Sequence, residues 1–145
     1  MIRAARTLTQ GLLLVAAAGV AAAAEPPGPI EVVDRAYVDG AHRNADAEAM
    51  RAGFHPEFVM FVNAEDGVRR VTLDEWAERV AAAGADPDRK SPRIEAALEV
   101  VGETADAAVV RVELTRDGRH VFTDFLSLYR TADGWRIVGK IYQAR

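Results

Sequence analysis

The spacing of hydrophobic and polar positions changes along the chain, and each change predicts an element. From Ile30 to Asn44 the rhythm is helical. Stepping about 100° per residue from Val33 puts Ala36, Tyr37, Gly40, Ala41 and Asn44 on one face, with Glu31, Arg35, Asp39 and His42 opposite. Tyr37 is therefore expected inward and His42 on the surface. Asp46 can cap a short helix over Ala47–Ala52, with Met50 inward and Gly53 as its stop. Phe54-His55-Pro56-Glu57 reads as a turn, Phe58–Val62 as a strand of β-formers, and Glu65-Asp66-Gly67 as a hairpin turn before Val68–Val71. Thr72-Leu73-Asp74-Glu75 has the spacing of a capping box, opening a helix with Leu73, Trp76, Ala77 and Val80 on one stripe and Gly84 as its end.

After a polar loop over Ala85–Arg93 the period becomes two. Ile94, Ala96, Leu98 and Val100 alternate with Glu95 and Glu99. Strands follow over Ala108–Arg116, His120–Arg130 and Trp135–Gln143, joined at Asp117-Gly118 and Ala132-Asp133-Gly134. Helices first and four long strands last give an α+β domain, an antiparallel meander with helices on one face.

The first 24 residues stand apart from this pattern. Arg3 and Arg6, the apolar run Gly11–Val20, and Ala22 and Ala24 before Glu25 have the layout of a secretory leader, Met1–Ala24. Residues 25–29 form a Pro-rich linker and 30–145 the domain. The 14 residues of Gly11–Ala24 fall short of a membrane span, which needs about 20. The expected product is periplasmic or secreted, cleaved near Ala24, with no stable membrane anchor.

Composition narrows the chemistry. The chain of 145 residues has no cysteine, which excludes a disulfide, a thiolate metal site and a cysteine nucleophile. The 121 residues from Glu25 onward carry 22 acids against 16 Lys and Arg, a net charge of −6. That balance argues against a nucleic-acid partner. His42, His55 and His120 lack helical ligand spacing, so no metal is expected. No phosphate-cradling Gly-rich loop or Gly-x-Ser-x-Gly elbow is present, and no cofactor is expected.

Three stretches carry a family resemblance. They are Tyr37-Val38-Asp39-Gly40 with Asn44-Ala45-Asp46 and Phe54-His55-Pro56; Leu98–Ala107 before a Val-rich strand; and Thr123–Tyr129 with Asp133–Val138 and Lys140. Together they resemble the nuclear transport factor 2-like (NTF2-like, SnoaL-like) superfamily, in its branch named Putative lumazine-binding, over about Ile30–Gln143. The resemblance implies a cone: a strongly curved antiparallel sheet wrapped around N-terminal helices, with an apolar pocket at the wide end. Many members pair as dimers through the sheet. Members include isomerases, cyclases, dehydratases and binding modules, so the fold alone assigns no function.

Asp124 shares strand parity with Phe122, Leu126 and Leu128, so its carboxylate is expected on an apolar face where it needs a partner. In the resembling enzymes such a carboxylate is an acid or base with its pKa raised by apolar walls. Tyr37 and His55 are the other catalytic candidates, as oxyanion donor and as acid/base at the pocket mouth. The isomerase base would fall around Met60–Asn63, and Phe58–Ala64 has no carboxylate. Phe58, Met60, Trp76, Phe122, Trp135 and Tyr142 are the candidate ligand-binding wall. Simple registry across Asp133-Gly134 puts Lys140 on the face opposite Asp124, and only a bulge would bring them together. The leading expectation is an exported binding domain for a small apolar or aromatic molecule. The alternatives are an isomerase-, cyclase- or dehydratase-type enzyme using Asp124, and a homodimeric interaction module.

Overall fold

The computed structural model describes Gly19 and residues 21–145. Most of the leader read over Met1–Ala24 lies outside the described residues. Among the described residues no helix is long and apolar enough to cross a membrane.

Helix α1 begins at Pro29–Val33, where Pro29 supplies a preset φ and Glu31 accepts from the Gly28 N–H at 2.7 Å. It continues as a π-helix over Asp34–Asn44. Ala45, at φ 50°, turns the chain sharply into α2, Ala47–Gly53. Asp46 caps α2 as expected, its side chain accepting from the Glu48 and Ala49 N–H groups at 3.0 Å each. Strand β1 runs Phe54–Ala64 and β2 Gly67–Thr72. The segment read as a turn, Phe54–Glu57, is instead the start of β1, because Phe54 pairs with the last strand opposite Ile137. Helix α3, Leu73–Ala85, opens with the Thr72–Glu75 capping box. Strands β3 (Ile94–Glu103), β4 (Ala107–Arg116), β5 (Arg119–Thr131) and β6 (Gly134–Ala144) form the meander.

Two glycines read as helix stops have another role. Gly53 closes α2 from within; a Cβ there would lie 2.4 Å from Ala36 Cβ on α1. Gly84 sits inside α3, where a Cβ would lie 2.3 Å from the Ala45 carbonyl oxygen. Gly53 lets α2 approach α1, and Gly84 lets α3 approach the turn at Ala45, more closely than a side chain would permit.

The six strands form one curved, unclosed sheet in the order β2-β1-β6-β5-β4-β3. All neighbours are antiparallel except β1 and β6, which run parallel. The all-antiparallel expectation holds for the meander and fails at this join. Even positions of β3 and β4 and Asp124, Leu126 and Leu128 of β5 face the helices, as the period-two pattern requires. Tyr37, Phe58, Met50, Leu114, Leu126, Leu128 and Ile137 fill the core.

Strand β6 carries the irregularity that shapes the interior. Ser127 pairs with Gly139 and Leu128 with Ile137, so Val138 has no partner. This β-bulge reverses side-chain parity along β6. Trp135 and Ile137 point inward before it, and Lys140 is buried after it. The simple registry that put Lys140 on the opposite face from Asp124 is therefore overturned.

Candidate functional site

The site is built where β5, β6 and α1 converge. Asp124 projects from mid-β5, flanked in register by Val112 and Tyr142, and its solvent exposure is 0%. Tyr37, also fully buried, donates its hydroxyl to Asp124 Oδ2 at 2.7 Å. Lys140, 5% exposed, holds Nζ 2.8 Å from Asp124 Oδ1. That is the distance of a close, charge-assisted ion pair. A fully buried carboxylate thus meets one phenol and one ammonium, the pairing that an apolar setting requires.

Aromatic rings enclose the ammonium. Nζ lies 4.2 Å from the Tyr142 ring centroid, 5.0 Å from Tyr37, 5.3 Å from Trp76 and 5.6 Å from Phe122. Ring faces are negative and attract a cation, the more so when water is excluded. Met60 Sδ lies 3.9 Å from Nζ on the β1 side. Trp76, Phe122, Tyr142 and His42 are only partly buried, so they form the outer rim, while Tyr37, Asp124 and Lys140 form the floor.

His42 was expected on the surface, and the structure turns it inward. The reason is the winding of α1. On an α-helix, residues five apart are separated by about 140°. In a π-helix the i→i+5 hydrogen bond stacks them one turn apart. Tyr37 and His42 are five apart, and their rings meet edge to face with centroids 4.6 Å apart. His42 Nε2 is buried with no hydrogen-bond partner. Burial, then the positive charges of Lys140 and Arg116, lowers the His42 pKa to about 3, so the ring is neutral at ordinary pH. Burial raises the Tyr37 pKa well above its usual value, and the charge of Asp124 adds to this. Burial lowers the Lys140 pKa, and Asp124 opposes that shift.

The other sequence candidates divide. Met60, Trp76, Phe122 and Tyr142 surround Lys140. Phe58 is buried in an aromatic stack with Phe54 and Trp76 at 4.8 and 5.8 Å. His55 lies at the start of β1, where its Nδ1 accepts from the Glu57 N–H at 3.1 Å, and no hydrogen bond joins it to Asp124, Tyr37 or Lys140. Trp135 lies away from the floor; with Glu25–Pro27 and Arg130–Arg136 it lines an open cleft of about 700 Å³. That cleft has Glu25–Pro27 as one wall and neither Asp124 nor Lys140 in its lining. Among the described residues no group of three or more His, Asp or Glu could hold a metal ion.

Sequence reasoning missed Lys140 and His42 as site residues. A signal for the first exists in Gly139: a glycine inside a strand pattern points to a bulge. No comparable signal marks the π-winding that brings in His42.

The family described as Putative lumazine-binding matches residues 28–143. The chain belongs to this family. Among solved structures, an NTF2-like protein of unknown function from Shewanella baltica is 22% identical, with a TM-score of 0.63 over 80% of this chain and 90% of that one. One from Silicibacter pomeroyi is 27% identical, with a TM-score of 0.61 over 79% and 90%. An NTF2-like protein from Cytophaga hutchinsonii is 14% identical, with a TM-score of 0.62 over 80% and 94%. These likenesses establish the NTF2-like fold for this family member. No curated protein matches the chain.

Proposed function

We propose that this family member is an exported binding domain for a small apolar or aromatic molecule, seated among Trp76, Phe122, Tyr142 and His42 above the Asp124–Lys140 pair. The observation that carries the reading is the ion pair itself. A sealed carboxylate and ammonium add little to stability compared with an apolar filling of the same volume. Their place beneath a partly buried aromatic rim gives them a ligand to orient. The description of the family as lumazine-binding supports a small-molecule ligand. The leader pattern supports export, with the mature chain starting at Glu25.

The test is made on protein recovered outside the cytoplasm, its amino terminus checked by sequencing. Aromatic and polycyclic compounds are titrated while tryptophan fluorescence and the thermal midpoint are followed. Binding at Trp76 should change the fluorescence and raise the midpoint, by about 2.7 kcal/mol of stabilisation at a hundredfold excess over Kd. Recovery from the cytoplasm alone would refute export, and a chain starting at Met1 in the exported fraction would refute cleavage near Ala24. A fluorescence response that persists in Trp76→Phe, or no response to any compound, would refute the site.

A second reading has its own support. The outer face of the sheet exposes Phe61, Phe125, Tyr129 and Ile141, the last two at 56%. A groove of about 400 Å³ runs between Phe61, Val68, Phe125 and Ile141. A contiguous apolar face of this kind is characteristic of an interface, and we propose a homodimer through it. Light scattering should give twice the monomer mass, falling to the monomer in Phe125→Glu. A monomer at all concentrations rejects the dimer and leaves the ligand site untouched.

A further inference from the structure

We infer that Lys140 is a reactive amine, and that the site captures aldehydes or ketones of aromatic character as an imine on Nζ. The inference rests on the binding reading above and adds the chemistry of the ligand. Three observations carry it. Nζ has a single oxygen partner, Asp124 Oδ1 at 2.8 Å, and its other neighbours are Met60 sulfur and ring faces. The amine is held in an apolar box, which disfavours its charged form and exposes a nucleophilic lone pair once the proton leaves. A proton acceptor stands 2.8 Å away, and Tyr37 supports the opposite carboxylate oxygen at 2.7 Å. Burial lowers the Lys140 pKa in the direction this chemistry needs.

The step balances with these groups alone. Asp124 takes a proton from the ammonium, and the free amine adds to the carbonyl carbon as a nitrogen proton moves to the carbonyl oxygen. The resulting hydroxyl receives the proton held by Asp124 and leaves as water. The product is an iminium cation still paired with the Asp124 carboxylate. Overall, ammonium and carbonyl give iminium and water, with no change in charge and no oxidant or reductant. Asp124 shuttles the proton; Tyr37 positions it by fixing one carboxylate oxygen.

The sequence makes the test simple, because Lys90 and Lys140 are the only lysines. Lys90 is exposed and serves as the internal reference. Native protein is incubated with 2-naphthaldehyde and sodium cyanoborohydride at neutral pH, and the naphthylmethyl label is located by peptide mass spectrometry. Labelling at Lys140 should exceed labelling at Lys90 by about tenfold or more, as expected for an amine whose charged form burial disfavours and whose proton Asp124 can take. In urea-unfolded protein that preference should disappear. The paired variant Asp124→Asn/Lys140→Met, which removes both charges together, should fold and lose the fast label. Binding of 2-naphthalenemethanol, which cannot form an imine, is followed in parallel by tryptophan fluorescence. If the alcohol binds while the label goes to Lys90 or the amino terminus, the reactive amine is refuted and the binding site stands. If neither compound binds and Lys140 stays unlabelled, both fall.

Discussion

Lys140→Met alone is expected to lower stability by about 3–5 kcal/mol, enough to drop the thermal midpoint by roughly 10–20 °C. Methionine matches the lysine stem in shape and packs well among Trp76, Phe122 and Tyr142, so lost volume is a minor part of the cost. What remains is a carboxylate with 0% exposure and only the Tyr37 hydroxyl as a partner. Removing one member of a buried pair strands the other without water. Asp124→Asn on top of Lys140→Met should recover most of the loss, to within about 1–2 kcal/mol of the parent, because the amide is neutral and still accepts from Tyr37. Chemical denaturation of the parent, both single variants and the double variant gives the coupling directly. A Lys140→Met cost below about 1 kcal/mol would mean that water reaches Asp124 and that the floor of the site is open.

The parts of the fold that could be read from the chain are those where one local rule acts alone. Alternation of Ile94, Ala96, Leu98 and Val100 with Glu95 and Glu99 fixes a strand and its inner face, and β3 follows it. Thr72 and Glu75 announce the start of α3 through their mutual capping. Asp124 stood out because a carboxylate in apolar parity demands a partner, and the structure supplies Tyr37 and Lys140. The parts that could not be read are those where one residue changes the period for all that follow. Val138 does so on β6 by dropping out of register, which turns Lys140 from the outer face to the inner one. The π-winding over Asp34–Asn44 does so on α1 and rotates His42 against Tyr37. Both errors fall on the residues that complete the site. Local regularity is broken there, which is where irregular backbone tends to serve function. The parallel join of β1 to β6 was hidden for a different reason: it pairs segments about 80 residues apart, and only the closed tertiary structure decides their direction.

Acid should unfold the protein earlier than its carboxylates alone would require, because His42 must stay neutral in the folded state. Its pKa is about 3 when folded, against about 6.5 in an unfolded chain. Between these values the unfolded state binds a proton that the folded state refuses. Stability therefore rises with pH through this window, is fully present above about pH 6.5, and is lost as pH falls toward 3. The slope contributed by one such group is at most about 1.4 kcal/mol per pH unit, so about 2 kcal/mol should go between pH 6.5 and pH 4.5. The physical source is specific. A charged imidazolium would sit with Nε2 sealed from water, against the Tyr37 ring and near the Lys140 ammonium. His42→Phe keeps an aromatic ring beside Tyr37 and Phe122 and removes the titration. The difference in unfolding free energy between the parent and His42→Phe, measured at several pH values, isolates this one group from every carboxylate they share. That difference should shift by about 2 kcal/mol in favour of the variant as pH drops from 6.5 to 4.5. Curves that stay parallel across the window would show that His42 protonates freely in the folded protein. In that case the imidazole faces water, and the rim above Asp124 and Lys140 stands open.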